Sequence, residues 1–236
     1  MQKLISALEK LNISYTETMI SQFRQYMEET LIWNEKINLT AITEREDFII
    51  KHFIDSVLAA DAQEVKEAEN IIDVGTGAGF PGVPLAILFP QKQFVLMDSL
   101  NKRLKVIDDI CAKTKIRNVT TVHSRAEELA QSKQHREKYD LCVSRAVANM
   151  ATLSEYCLPF IRLGGYFLAY KGPDYEEELT KARTAIQVLG GRVESVRETA
   201  LSDLGLHHKI IYIRKERQTP AKYPRKAGIP SKEPLK

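Results

Sequence analysis

The segment Ile71-Ile72-Asp73-Val74-Gly75-Thr76-Gly77-Ala78-Gly79-Phe80-Pro81-Gly82 sets glycines at alternate positions directly after an apolar run. Glycine admits positive φ and carries no Cβ, so a turn of this kind between a strand and a helix lets a ligand approach the backbone. Dinucleotide, flavin and S-adenosylmethionine sites all use one. Asp73, two residues before the first glycine, weighs among them. A carboxylate beside a helix N-terminus would repel a pyrophosphate, whereas S-adenosylmethionine has no phosphate and bears a cationic sulfonium and an ammonium. Asp73, Gly75, Gly77 and Gly79 are therefore expected to face this ligand. Asp98, which closes the next apolar run, is expected to accept both ribose hydroxyls, a device shared with NAD sites. Ser124-Arg125-Ala126-Glu127 follows the third run, where an adenine would lie, and Ser144-Arg145-Ala146-Val147 follows the fourth, beside the methyl group. The plain alternative for Glu127 and Arg145 is ordinary surface charge.

The elements that must position these residues are legible from Asn70 onward. Ile71 to Val74, Phe94 to Met97, Val119 to Val122, Leu141 to Ser144, Tyr166 to Tyr170 and Ile210 to Ile213 read as strands. Gly82 to Leu88, Leu100 to Lys113, Ala126 to Ala130, Met150 to Ile161 and Tyr175 to Leu189 read as the helices between them. Strand and helix in alternation predict an α/β, Rossmann-like fold with a mostly parallel sheet covered on both faces. The first 70 residues read as helical. Met19, Ile20, Phe23, Tyr26, Met27 and Leu31 recur at helical spacing behind a Ser14/Glu17 capping box. A second helix carries the stripe Phe48, Ile49, Phe53 and Val57 behind Thr43 and Glu46, with His52 beside the stripe as a helix-face histidine. Between the two, Trp33 to Thr40 is either a functional loop or a helix junction. The organisation expected is a helical extension over 1–69, a ligand-binding domain over 70–214 and a basic, proline-containing tail over 215–236.

With 236 residues, 44% hydrophobic and 28% charged, the chain has the composition of a globular protein and not of a disordered or fibrous one. Cys111, Cys142 and Cys157 fit neither a disulfide framework nor a metal knuckle, so a reducing, cytoplasmic setting and no metal are expected. The N-terminus lacks a basic start followed by an apolar run, and no stretch approaches a membrane span. The net charge of +3 is unevenly spread. Arg214 to Lys236 carry eight basic residues against Glu216 and Glu233, so this end is net +6 and the remainder net −3. Such an end is either a solvated tail or a contact for a polyanion, where mobile Lys and Arg add salt-dependent affinity.

The strand ends also lack features. Amino-group methylases of adenine and cytosine usually carry Asp/Asn-Pro-Pro-aromatic after the fourth strand, which Ser144-Arg145-Ala146-Val147 does not match. Cys142 and Cys157 sit inside elements and read as small core residues, not as the nucleophile of a C5-pyrimidine methylase.

Several separated stretches together resemble the RsmG (GidB) methyltransferases. They are Asp73 to Leu85 with its Pro81-Gly82, Leu96-Met97-Asp98-Ser99-Leu100-Asn101-Lys102-Arg103, Ser144-Arg145-Ala146, Leu168-Ala169-Tyr170-Lys171-Gly172, Trp33-Asn34-x-Lys36-x-Asn38-Leu39-Thr40, and Tyr223-Pro224-Arg225-Lys226-Ala227-Gly228-Ile229-Pro230. The resemblance implies methyl transfer from S-adenosylmethionine to N7 of a guanine in the 530 loop of 16S small-subunit ribosomal RNA, with that RNA or a ribosomal particle as partner; separately, a monomer is expected. Carried over by position, it implies cofactor contacts at Gly75, Phe80, Ala126, Glu127 and Arg145. Lys171, Lys222, Arg225 and Lys226 are the candidates to meet RNA phosphates. Guanine N7 already has an in-plane lone pair, so no general base is expected; Arg145 would have a positioning role.

Overall fold

The computed structural model describes residues 1–145, 147–198, 201 and 204–236. Seven strands, β1 (Asn70–Val74), β2 (Gln93–Asp98), β3 (Val119–His123), β4 (Tyr139–Arg145), β5 (Ile161–Lys171), β6 (Gly191–Glu198) and β7 (Lys209–Lys215), form one sheet in the order β3-β2-β1-β4-β5-β7-β6. The first five pair in parallel, and β7 runs antiparallel to both β5 and β6. The sheet reverses at β1, between β2 and β4. In open α/β sheets that switch point, outside the carboxyl ends of the strands, is where ligands bind. Because β7 is antiparallel, its first residues also reach that edge.

Both faces of the central strands are buried, which accounts for their unbroken apolar runs. On one face Ile71, Leu141, Val143, Leu168 and Tyr212 pack with Leu4, Leu8, Phe23, Tyr26, Phe48 and Phe53. On the other, Ile72, Val74, Cys142, Phe167, Ala169 and Ile213 pack with Leu153, Cys157, Ala182, Ile186 and Tyr223. The N-terminal helices thus form one covering layer of the sheet and share its core. Phe23, Phe48, Phe53 and Phe80 meet edge to face at ring-centroid distances of 5.0 to 6.2 Å, contacts worth about 0.5–1.5 kcal/mol each beyond the area they bury. Cys111, Cys142 and Cys157 are free and buried, as small core residues are.

Four local features depart from the sequence reading. A first helix, Gln2–Lys10, precedes the expected one, which begins at Glu17 with Thr16 accepting from the Met19 amide at 3.2 Å. The second expected helix is α-helical at Arg45–Phe48, π-helical at Ile49–Ile54 and α-helical again at Asp55–Val57. The helix from Met150 stops at Cys157, a 3₁₀ turn follows, and β5 begins already at Ile161. Strand β6 was not anticipated. No helix among the described residues is long and apolar enough to cross a membrane.

Candidate ligand pocket and the charged cluster beside it

The glycine turn between β1 and the Gly82–Leu88 helix is held from below by Asp73. Its carboxylate is fully buried, and one oxygen accepts from the Thr76 hydroxyl at 2.7 Å and the Gly82 amide at 2.9 Å; the other has no partner among the described residues. Burial pushes its pKa up to about 7 against the pull of those two hydrogen bonds. Asp73 therefore braces the turn and does not line the pocket, contrary to the expectation from spacing. The three glycines have φ of +74°, +61° and +91°, all left-handed, but they serve different ends. A Cβ on Gly75 would lie 2.6 Å from Val147, and one on Gly79 would lie 2.3 Å from the Tyr26 hydroxyl. That hydroxyl donates to the Ala78 carbonyl at 2.9 Å. Gly79 thus admits the N-terminal helix to the turn, and only Gly75 of the three faces the pocket. The Gly77 amide donates to Asp98 at 3.0 Å.

The pocket itself, about 290 Å³, lies at the switch point. Gly75 and Asp98 come from the ends of β1 and β2, Ala126 and Glu127 from the turn after β3, Val147 from beyond β4, and Tyr156 from the Met150–Cys157 helix. Asp98 is held rigidly. One oxygen takes the Gly77 amide, the other takes the Leu100 amide at 2.8 Å, and the Arg103 guanidinium lies 3.7 Å away. A carboxylate has about four acceptor sites, so the two that remain suit a vicinal diol. Glu127, nearly buried, uses one oxygen to accept the Gly228 amide at 2.9 Å. A bare backbone at Gly75, a fixed carboxylate at Asp98 and a second acid at Glu127 together fit an adenosyl ligand.

Phe80 and Arg145 lie elsewhere. They belong to a cluster on the β4 side of the turn, built around the wholly buried Asp55. Arg145 pairs with one Asp55 oxygen, and the imidazole of His208, just before β7, hydrogen-bonds the other through Nδ1. Arg145 also donates to the Lys51 carbonyl at 3.0 Å and approaches His52 Nδ1 at 3.3 Å. Its guanidinium sits 5.5 Å from the Phe80 ring centroid, and His52 stacks on the other partner of that arrangement, Phe80, at 4.4 Å and 3°. Burial first, and the Arg145 charge second, pull the His52 pKa down to about 3. His52 is thus a neutral imidazole, accepting at Nδ1 and hydrogen-bonded at Nε2 to Thr40 at 2.8 Å. Asp55 stays ionised, the pull of His208 and Arg145 outweighing the cost of burial. The Trp33–Thr40 segment is a braced junction. Trp33 donates to Asp109 at 2.8 Å, and the Asn34 side chain accepts from Leu39 and Thr40.

The C-terminal segment is not a mobile tail. Arg225 is taken up by the buried Glu155 through its main-chain N–H, Nε and a terminal nitrogen at 2.8, 3.0 and 2.7 Å. Lys171 is held as well, donating to the Ala148 carbonyl at 2.6 Å and pairing with Glu178 at 3.0 Å. Lys171 is nearly buried and Arg225 partly exposed, and each is paired with an acid of the protein, so neither is presented as the unpaired phosphate contact expected of it. Lys222 and Lys226 are exposed. Ala146, part of the Ser144-Arg145-Ala146 stretch, lies outside the described residues. Asp55 and His208 were missed from sequence. Asp55 left a trace, as an acid on the apolar side of a helix next to Phe53, Ile54 and Val57.

The family model described as rRNA small subunit methyltransferase G matches residues 19–206. The chain belongs to that family. Relatives named Ribosomal RNA small subunit methyltransferase G from Alkaliphilus oremlandii and Clostridium novyi are 52% and 48% identical over 226 and 229 residues. These alignments cover 96% and 97% of this chain and 95% and 94% of the relatives. The fold is shared more widely. A SAM-dependent O-methyltransferase from Thermotoga maritima superposes with a TM-score of 0.56 at 17% identity, over 80% of this chain and 72% of its own. A putative O-methyltransferase from Klebsiella pneumoniae does so with 0.55 at 13%, over 89% and 94%. The resemblance seen in the motifs is thus borne out over nearly the whole chain, and the fold class with it.

Proposed function

We propose that the protein transfers a methyl group from S-adenosylmethionine to small-subunit ribosomal RNA, at N7 of a guanine in the 530 loop of 16S RNA. The observation that carries the cofactor half is the pocket at the switch point. Gly75 leaves room against the backbone, Asp98 presents a fixed carboxylate to a ribose diol, and Ala126 and Glu127 border the adenine. When bound, the cofactor supplies an electrophilic methyl on sulfonium. Family membership supports the RNA substrate, and the motif resemblance supports the guanine and its loop.

The chemistry asks little of acids and bases. N7 of guanine attacks through a lone pair it already has, and the base, not the protein, takes up the positive charge. The chain's work is alignment, worth roughly 7–11 kcal/mol when reactants are held in near-attack geometry. His52, neutral and stacked on Phe80, and Arg145, locked by Asp55, offer a rigid wall beside the methyl end. A base in an RNA loop can be splayed out and stacked against such a wall. Exposed Lys222 and Lys226 would meet phosphates, and the cytoplasm is where this substrate lies. Incubating the purified protein with labelled S-adenosylmethionine and either small subunits or a metabolite extract tests the assignment. Label in the RNA is the expected result, and label only in small molecules would refute it.

A further inference from the structure

The segment from Thr219 to Lys232 is attached to the pocket side of the protein at each step. The Arg136 guanidinium donates to the Thr219 carbonyl at 2.7 Å and the Tyr223 carbonyl at 2.9 Å, and Gln131 donates to the Pro224 carbonyl at 2.9 Å. Arg225 is then fixed by Glu155, the residue next to Tyr156 on the same helix. The Thr152 hydroxyl donates to the Pro230 carbonyl at 2.8 Å, seating the short Ile229–Lys232 helix. One of the contacts reaches a residue that lines the ligand pocket. The Gly228 amide holds Glu127, and the Ser231 hydroxyl donates to the Gly228 carbonyl at 3.0 Å.

We propose that this segment is a strap that completes the adenosyl side of the pocket, with the Gly228 amide as the group that positions Glu127 and the Arg225–Glu155 pair as the anchor. A glutamate has three side-chain torsions, and ordering them costs entropy at the moment a ligand binds unless something orders them beforehand. Gly228 does so from a φ of +85°, where a Cβ would meet nothing within 4 Å. Glycine is needed there for its conformation and not for lack of room. The amide occupies one Glu127 oxygen and leaves the second for the ligand. A charge-assisted bond in a nearly buried setting is the strong kind. Most attachments grip main-chain carbonyls, so the strap keeps its course whatever side chains it presents outward, and Lys222 and Lys226 stay free to meet RNA. The inference rests on the adenosyl reading of the pocket.

Calorimetric titration of the full-length protein with S-adenosylhomocysteine tests it. Gly228→Ala, which keeps the N–H but strains the left-handed φ that aims it at Glu127, and Arg225→Gln, which weakens the anchor to Glu155, are each expected to raise Kd about 10-fold. Ser231→Ala, an exposed change that spares the fold, should raise it two- to threefold. In a Glu127→Ala background, Gly228→Ala should add less than a twofold effect, which a merely structural role would not produce. The strap is overturned if all three single variants bind within a factor of two of the parent, or if the Gly228→Ala penalty is undiminished without Glu127. A parent that binds no S-adenosylhomocysteine would instead overturn the cofactor reading itself.

Discussion

Replacing each turn glycine by alanine separates backbone strain, packing and ligand contact, since the three sites share left-handed φ and differ in what a Cβ would meet. Left-handed backbone costs an alanine roughly 1–2 kcal/mol, and at Gly77, where a Cβ has open space, that is the whole expected loss of stability. At Gly79 the Cβ would lie 2.3 Å from the Tyr26 hydroxyl and 2.7 Å from a Val83 methyl. Tyr26 is fully buried and bonded to the Ala78 carbonyl, so it yields only by breaking that bond or displacing its helix. Overpacking adds about 1–3 kcal/mol, for a total of about 2–5 kcal/mol. At Gly75 the obstacle is Val147, a side chain on the pocket wall that can turn aside. There the stability loss should resemble that of Gly77, while S-adenosylhomocysteine affinity falls at least 10-fold. Urea unfolding followed by the fluorescence of Trp33, the single tryptophan, and calorimetric titration read the two effects. Equal stabilities for Gly79→Ala and Gly77→Ala, or a larger affinity loss at Gly77 than at Gly75, would refute this division of roles.

Three further outcomes are expected. Asp55→Ala, by stranding the buried Arg145 charge, should destabilise by about 3–5 kcal/mol, and the Asp55→Ala/Arg145→Ala double variant should lose clearly less than the two singles added together; additive losses in urea midpoints would argue against the pair. His52, at about 3, stays neutral while the unfolded imidazole takes a proton below its ordinary 6.5, so its contribution is lost as pH falls below 6.5. Asp73, at about 7, stays protonated where the unfolded carboxyl ionises above 3.8, so its contribution is lost as pH rises through 7. The two oppose each other between those limits. Asp73→Asn should leave a stability that falls toward acid by up to about 1.4 kcal/mol per pH unit, and an unchanged slope between pH 4.5 and 6.5 would contradict it. Lys222→Ala/Lys226→Ala should flatten the dependence of log RNA affinity on log salt by about 1.4, at roughly 0.7 per single-strand phosphate contact, with S-adenosylhomocysteine binding unaltered.

The mostly parallel sheet and the glycine turn after its first strand were legible because buried strands and the turn carry local signals, whereas the strand order that makes the switch point is not a local property. What the residues around the turn do was less so. Spacing alone put Asp73 toward a ligand, and only the return of the chain at Gly82 and the Thr76 hydroxyl turns its carboxylate inward. Gly79 looked like ligand clearance because its neighbour Tyr26 is 53 residues away. Strand β6 escaped notice because Arg192, Glu194 and Arg197 give it the polar surface of a sheet edge. The π-helical turn at Ile49–Ile54 has no period that separates it from an α-helix in sequence. Arg225 stood in a basic, proline-rich run that reads as solvated. Its partner Glu155 lies 70 residues back, in a helix whose other residues are mostly buried.

The central claim, methyl transfer to guanine N7 in the 530 loop, is tested most directly on the RNA product. Small subunits from cells lacking this protein, incubated with the purified chain and S-adenosylmethionine, would be digested to nucleosides and fragments and read by mass spectrometry. The account predicts one new N7-methylguanosine, confined to the fragment that contains the 530 loop. Methylation of another base or another atom, or of a guanine elsewhere in the RNA, would contradict it.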